Sequence, residues 1–399
     1  MSAVRSFATA ATRPRAFLLG QAMLPVNNDA KHTLETMSRD TIPQALADAG
    51  VTKDDVTAVF VGNMISPILQ KQSQLASFVC QSAGLRLKDS MTIDSACGSG
   101  GAALRLGMMA VLSGLHETVL CVGIEQMKHP SREELTRALA QASDWHVEGA
   151  KGATFVGLND KLHSEYCRRY SKTIDPDDFY YFSANAHKNA ITARHALLRK
   201  PCTVEEYKHS KLLGERVRLY DACPTANGCA AVVLSSKGVR GQHPVVLGTD
   251  CKTEFISLAM RKDLLEFSAV QQSVKEAMRQ AHITPQDVDV FEAHDAYSIM
   301  AALSLESTFC APGQGLAYAK SGAIGLEGEL PMSTFGGLKA RGHPVGASGI
   351  YQIAEIMLQL KGEAGENQVK KKSGKGVKYA LTSSFGGAAT TVTSHVIGI

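Results

Sequence analysis

The strongest constraint on this chain is that it repeats itself. Residues 49–60 (AGVTKDDVTAVF) align with residues 281–292 (AHITPQDVDVFE) at an offset of 232 (281 − 49), sharing Ala49/Ala281, Thr52/Thr284, Asp55/Asp287 and Val56/Val288. Each copy follows an amphipathic helical stretch, 41–47 in one half and 270–279 in the other. Each then runs into a short β-rich segment, 56–61 and 288–293, which is the helix-to-strand unit of an α/β fold. Further on, 101–114 and 349–362 read as Gly-bounded helices at an offset of 248 (349 − 101). Both halves close on a small-residue, β-branched strand, 230–235 and 388–396. Any one match could arise by chance, but the shared order argues for duplication. The expected architecture is two similar α/β halves, 16–127 with 216–242, and 243–399.

Between them, 128–215 has a different character, rich in charged helix formers with few strand-like runs. Helices are expected over 177–198 and 204–213, separated by Pro201. This segment reads as a mostly helical insertion projecting from the first half, of the kind that covers ligand sites.

Composition excludes several classes. A 399-residue chain with 44% hydrophobic residues can support a large core, so disorder is not its dominant state. No apolar run approaches the roughly 18–20 residues of a membrane span, so no integral membrane segment is expected. The net charge is only +4, with Arg5, Arg13 and Arg15 in the first fifteen residues. Nucleic acid is therefore not an expected partner. Nine cysteines without a CxxC pair fit neither a disulfide framework nor a cysteine-type zinc site, and no HExxH motif is present. Residues 1–15 combine arginines with Ser, Thr and Ala, and no acid precedes Asp29. That composition predicts a transit segment and the mitochondrial matrix, with the cytoplasm as the alternative.

Three side chains carry the candidate chemistry. Cys97 lies in MTIDSACGSGGAALRLGMMAVLSG, where 91–94 can end a strand and 102–112 predicts a helix buried all round. A thiol at that helix start faces a partial positive charge that favours the thiolate. Gly98, Gly100 and Gly101 would let an acyl substrate approach the backbone. The same turn, Gly98-x-Gly100-x-x-Ala103, weakly resembles a dinucleotide fingerprint, but no acid follows on a clean strand to bind a ribose. His294 leaves the strand-like run 288–292. His343 lies in STFGGLKARGHPVGASG ahead of a helix striped by Ile350, Ile353, Met357 and Leu360. In duplicated halves equivalent loops gather at one end, so Cys97 could meet both histidines. A thiolate attacking an acyl thioester, with imidazoles moving its proton and holding the thioester oxygen, is a coherent set.

Together these residues resemble the thiolase superfamily, most of all its sterol-carrier-protein type and related thiolase-like proteins. The resemblance rests on Cys97-Gly98-Ser99, His294-Asp295-Ala296-Tyr297 and Gly342-His343-Pro344, and covers the chain after the N-terminal extension. It implies an α/β duplicated thiolase fold with a five-layered α/β/α/β/α core, and a loop domain (128–215) covering the substrate. It also implies a homodimer, and a coenzyme A thioester as substrate with no permanently bound cofactor. Carried over by residue, Cys97 would hold the acyl group and His343 would activate it. His294 and His343 would form one oxyanion site, and the backbone N–H groups of Cys97 and Gly386 the other.

One departure matters. The family's second cysteine, the acid/base at the substrate's α-carbon, comes from a Cys-x-Gly motif or from the third position of His-Asp-Cys-Phe. Here those positions are Ser384 and Ala296. A serine hydroxyl is a far poorer base than a thiol. The expectation is thus an acyl-CoA acyltransferase of lipid metabolism, making or cleaving 3-ketoacyl-CoA with low activity unless Cys310 or another group has moved in. Decarboxylation of a malonyl-type thioester, or decarboxylative condensation, is the alternative, and a non-catalytic acyl-CoA-binding protein a further one.

Overall fold

The repeated motif folds into the same turn twice. Thr52 donates from its backbone N–H (2.7 Å) and its hydroxyl (2.6 Å) to one Asp55 oxygen, and Thr284 makes the same two bonds to Asp287 (2.8 and 2.7 Å). These bonds hold both carboxyls below their usual range. The shared Thr and Asp are thus a turn that aims the chain from a helix into a strand, not a site.

Around those turns, the computed structural model describes residues 15–370, 374 and 376–399. Nearly all of the expected transit segment lies outside the described residues. The first half runs β1 (Phe17–Met23), α1 (Leu34–Asp48), β2 (Ala58–Gly62), α2 (Ser66–Leu69), α3 (Leu75–Ala83), β3 (Asp89–Ile93), α4 (Ser99–Leu112) and β4 (Thr118–Glu125). After α5 (Arg132–Ala140), α6 (Phe155–Arg169), α7 (Tyr180–Ala190) and α8 (Val204–Lys208), the chain returns as β5 (Gly228–Ser235). The second half follows as β6 (Val245–Thr253), α9 (Ser268–Ala281), β7 (Val290–Glu292), α10 (Ser298–Glu306), α11 (Gly315–Lys320), α12 (Ser348–Lys361), β8 (Tyr379–Gly386) and β9 (Thr391–Gly398). No helix of the described residues is long and apolar enough to cross a membrane.

The strands lie in the order β3-β2-β4-β5-β1-β6-β9-β8-β7, which mirrors itself about the β1–β6 junction. That junction is a single pair, Phe17 opposite Val245. A lone parallel bridge from Phe291 to Met332 marks where the second half would carry the counterpart of β3. Strands alternate their apolar side chains between two cores, as the two-residue period requires. Val119 and Cys121 of β4 face the central helices, whereas Leu120, Val122 and Ile124 face α1 and α3. On the second half, Ala380 and Ile397 face the centre, and Leu381, Val392 and Val396 the α9 side. The layers are therefore α1/α3, sheet, α4/α12, sheet, α9.

The central layer closes through glycine. A carbon added at Gly349 would lie 2.3 Å from the Gly101 nitrogen, and one at Gly100 would lie 2.9 Å from the Ile350 nitrogen. Gly101 and Gly349 are the pair related by the 248 offset, so the duplicated helices start against each other. These glycines serve helix-to-helix contact rather than the approach of a substrate. Helix α4 is also not buried all round, since Met109 is half exposed.

The segment between β4 and β5 is helical; its α5 packs on the first half, through Ala138 against Met64, Ile65 and Leu69, whereas α6 and α7 pack on the second. Leu158, Leu162, Tyr166, Phe179 and Phe182 share one core with Val274, Phe291, Met300 and Leu303 of the second half. Helix α7 stops at Ala190 rather than continuing to 198, because Leu197 and Leu198 donate their N–H groups to Arg341 (3.0 Å) and Ala340 (2.9 Å). Helix α8 ends at Lys208 rather than 213. Beyond it the backbone of 215–217 donates instead to the Asp160 carboxylate.

Filling the glycine contact should unfold the centre. Gly349→Ala is expected to lose about 3 kcal/mol or more of stability through overpacking. Gly376→Ala, whose added carbon meets nothing within 4 Å, should change it by less than about 0.5 kcal/mol. Denaturant midpoints compare the two.

Candidate active site

The parallel strands β2, β3 and β4 end on the same side of the first half, and the turn after β3 carries Cys97. This turn is held by short polar bonds. Ser99 Oγ accepts from the Ser95 N–H (2.9 Å) and donates to the Ala96 carbonyl, while Asp94 accepts from the Ala96 N–H (2.8 Å). They keep Ala96 at φ +50, a left-handed conformation that a β-carbon disfavours. Cys97 then stands immediately ahead of α4 and is buried.

His294 follows β7, and its Nδ1 accepts the Phe385 N–H at 3.2 Å. In a neutral imidazole that leaves the proton on Nε2, which is free to donate to an oxygen. His343 follows Gly342, whose φ is +105, and its Nδ1 bonds the Ser348 hydroxyl at 2.8 Å. The two rings stand 5.2 Å apart at 86°. Asp295 is structural: its carboxylate accepts from the Leu338 N–H (2.6 Å) and the Ser333 hydroxyl (2.9 Å), fixing the loop that leads to His343. Glu125, unremarked in the sequence, ties the halves together. It accepts from the N–H groups of Met64 (2.9 Å), Ile65 (3.2 Å) and Gly346 (3.1 Å) and from Asn63 Nδ2 (2.8 Å).

Cys97, His294 and His343 line one cavity of about 60 Å³, together with Cys223, Tyr297 and Met300. Gly386 is not in its wall, where Gly387 stands instead. Gly386 lies one residue behind, against the Cys97 turn, and a carbon added at Gly98 would sit 3.0 Å from its nitrogen. A larger cavity of about 460 Å³ shares Met127, Leu139, Phe155, Thr225 and Tyr297 with the first. Its remaining wall includes Lys128, His129 and Arg132.

The site is electrically neutral at rest. Burial, with the Arg341 charge adding to it, pushes His294 down to about 3. Burial, then His294 and Arg341, holds His343 well below the ordinary imidazole range. Burial also raises the Cys97 thiol far above its usual value, with smaller contributions from Cys223 and Glu125. Desolvation therefore outweighs the helix end, and the resting form is the thiol rather than the thiolate expected from the sequence.

Of the two positions named for the second cysteine, Ala296 lines the cavity without a reactive group and Ser384 does not line it. Ser384 Oγ donates to Gln352 Oε1 (3.1 Å) and packs on Gly101, away from the cavity wall. Cys310 lies near Glu306, its thiol pushed up to about 12 by burial, and it does not line the cavity. The residue that sequence reasoning passed over is Cys223, which lines the cavity. A topological signal was present. β5 returns antiparallel to β4, with Gly228 opposite Glu125, so residues just ahead of β5 must lie at the site end.

Comparison with known proteins agrees with this geometry. The family described as "Thiolase, N-terminal domain" matches residues 3–167, and "Thiolase C-terminal domain-like" matches 250–399. The chain belongs to the thiolase family. An acetyl-CoA acetyltransferase of Methanothermobacter thermautotrophicus is 35% identical over 367 residues, covering 90% of this chain and 94% of that one. Human sterol carrier protein 2 is 27% identical over 413 residues, covering 97% of this chain and 73% of that one. Among solved structures, the Ltp2-ChsH2(DUF35) aldolase superposes with a TM-score of 0.82 at 18% identity, covering 97% of this chain and 98% of that one. Human mitochondrial 3-ketoacyl-CoA thiolase superposes at 0.72 and 17% identity, covering 97% and 99%. The thiolase fold is common to these, and the relatives support an acyltransferase using coenzyme A thioesters.

A neutral thiolase site has a distinctive pH response. Alkylation of Cys97 by iodoacetamide in the free protein, followed by peptide mapping against Cys97→Ala, should rise about tenfold per pH unit from about pH 7 to 9.5. No inflection is expected at the ordinary imidazole pKa of about 6.5. A plateau below about pH 8 would reveal a thiolate–imidazolium pair and contradict the neutral site.

Proposed function

We propose that this thiolase transfers short acyl groups between coenzyme A thioesters through an acyl-enzyme on Cys97, making or cleaving a 3-ketoacyl-CoA. The observation that carries this is the convergence of Cys97, His294 and His343 on one small cavity that shares its wall with a larger, partly basic one. His343 takes the Cys97 proton as the sulfur attacks the thioester carbonyl. The Nε2–H of His294 then donates to an oxygen that gains charge, in a buried setting where such a bond is strong. The inner cavity suits an acetyl-sized group. Lys128 and Arg132 at the outer one suit the phosphates of coenzyme A. The acetyl-CoA acetyltransferase relative supports the short-chain reading.

Intact-mass analysis after acetyl-CoA or acetoacetyl-CoA tests it, with released coenzyme A measured in parallel. The expected result is an acetyl adduct on the wild-type protein that is absent from Cys97→Ala. No adduct from either thioester, or an adduct that survives Cys97→Ala, would overturn the proposal. Carbon dioxide from malonyl-CoA without thiolysis of acetoacetyl-CoA would replace it with the decarboxylating alternative.

We also propose a homodimer. β3 ends the sheet on the first-half side with an open edge and a half-exposed Met91, a surface that pairs readily with a second copy. Light scattering should give twice the chain mass, and Met91→Lys should shift it toward the monomer.

A further inference from the structure

We infer that Cys223 is the second, proton-transferring cysteine of this enzyme, occupying the place left empty by Ala296 and Ser384. The inference rests on the acyl-transfer reading above and goes beyond it by naming the group that acts at the substrate's α-carbon. Three observations place the thiol.

First, Cys223 lines the same cavity as Cys97, His294 and His343. Second, its backbone is bound to both histidine loops. The Cys223 N–H donates to the Ala296 carbonyl at 2.8 Å, and Ala222 bridges Tyr297. One residue on, the Pro224 carbonyl accepts the His343 N–H at 3.1 Å, and Thr225 bridges His343. Cys223 therefore lies directly beside Ala296, the position at which the sterol-carrier type would bear its cysteine. Third, a buried cation stands behind the loop. Lys339 Nζ donates to the Asp221 carbonyl (2.7 Å) and to Ser298 Oγ (3.0 Å). Burial raises the Cys223 thiol to about 12 while Lys339 pulls it down, so the thiol is protonated at rest and its thiolate, once formed, is a strong base for a carbon-bound proton. Tyr297 is the other protic group on this wall, but burial drives its phenol well above its usual value, and the same two cysteines add to the shift.

The proton balance closes without a further reactant. His343 takes the Cys97 proton, and the Cys97 sulfur forms its bond to the acyl carbon as the bond to the coenzyme A sulfur breaks. The departing thiolate takes the Cys223 proton and leaves as coenzyme A. The Cys223 thiolate then removes a proton from the α-carbon of a second thioester. That carbon attacks the acyl group, the bond to Cys97 breaks, and the Cys97 thiolate recovers its proton from His343. Cys223 ends protonated, as it began.

The experiment reads the two halves separately. Wild-type protein, Cys223→Ala and Cys223→Ser are incubated with acetyl-CoA in deuterium oxide. The Cys97 acetyl adduct is followed by intact mass, and deuterium in the acetyl methyl of acetyl-CoA by mass spectrometry. If Cys223 moves the proton, both variants keep the adduct and lose methyl exchange by about 100-fold or more, as removal of a general base predicts. Exchange within about threefold of wild type in both variants would overturn the inference. So would exchange that survives in Cys223→Ser and vanishes in Tyr297→Phe, which would give the role to the phenol. Coenzyme A can also leave as its thiolate and take its proton from water, so complete loss of the adduct in both variants at an unchanged unfolding midpoint would also overturn the inference, by showing that Cys223 acts in the attack of Cys97. If Cys223→Ala lowers the midpoint, the comparison rests on Cys223→Ser. A wild-type protein that forms no adduct would bring down the acyl-transfer reading, and this inference with it.

Discussion

Two helix starts held in backbone contact are the constraint on which the rest depends. Gly100, Gly101 and Gly349 let α4 and α12 meet where any side chain would intrude. That contact sets the spacing of the central layer, and each neighbouring element follows it. Gly62 approaches the Ser99 backbone and Gly123 the Ala347 backbone, at distances where an added carbon would collide. The strand ends of both halves are thereby drawn to the helix starts, and the loops bearing Cys97 and His343 flank the same contact. A cavity of only about 60 Å³ can be lined by residues from both halves because little there is free to adjust.

The second constraint is electrostatic. The strong charges near the site are paired behind it rather than exposed to it. Arg341 is fully buried and bonds Glu355 at 2.6 Å, and Glu355 in turn meets His195 at 2.8 Å. Glu125 spends its carboxylate on three backbone N–H groups and an amide, and burial still raises it to about 7. What faces the cavity is two neutral imidazoles, thiols and a phenol. Such a site stabilises charge only as the reaction creates it, through fixed donors, which is where a low-dielectric pocket gains most. The cost is a resting thiol that is hard to ionise, so activation must come with the substrate.

The loop ahead of β5 links these two constraints. It bonds to the backbone of both histidine loops and is underlain by Lys339, whose Nζ donates to the Asp221 carbonyl. The Cys223 thiol carried there lines the same cavity as Cys97 and both histidines.

Much of this was legible in the residues alone. Local periodicity and the Thr-x-x-Asp turns reveal the duplication, because a helix-to-strand unit imposes the same local demands wherever it recurs. Cys97, His294 and His343 stand out because each sits in a Gly-rich or motif-bearing turn at a strand end. What the sequence could not decide was everything that depends on distance across the fold. The glycines read as room for a ligand, yet they serve a helix contact. The helix end read as a thiolate trap, yet burial outweighs it. Helix α7 read as longer, because the backbone partners that end it lie some 140 residues onward, at Ala340 and Arg341. Cys223 drew no notice, since nothing local distinguishes a thiol that faces solvent from one that lines a cavity with two histidines. The order of elements and the reactive side chains were thus written in local pattern. Which groups share a cavity, and in what protonation state, was settled only when desolvation and long-range backbone bonds brought the two halves together.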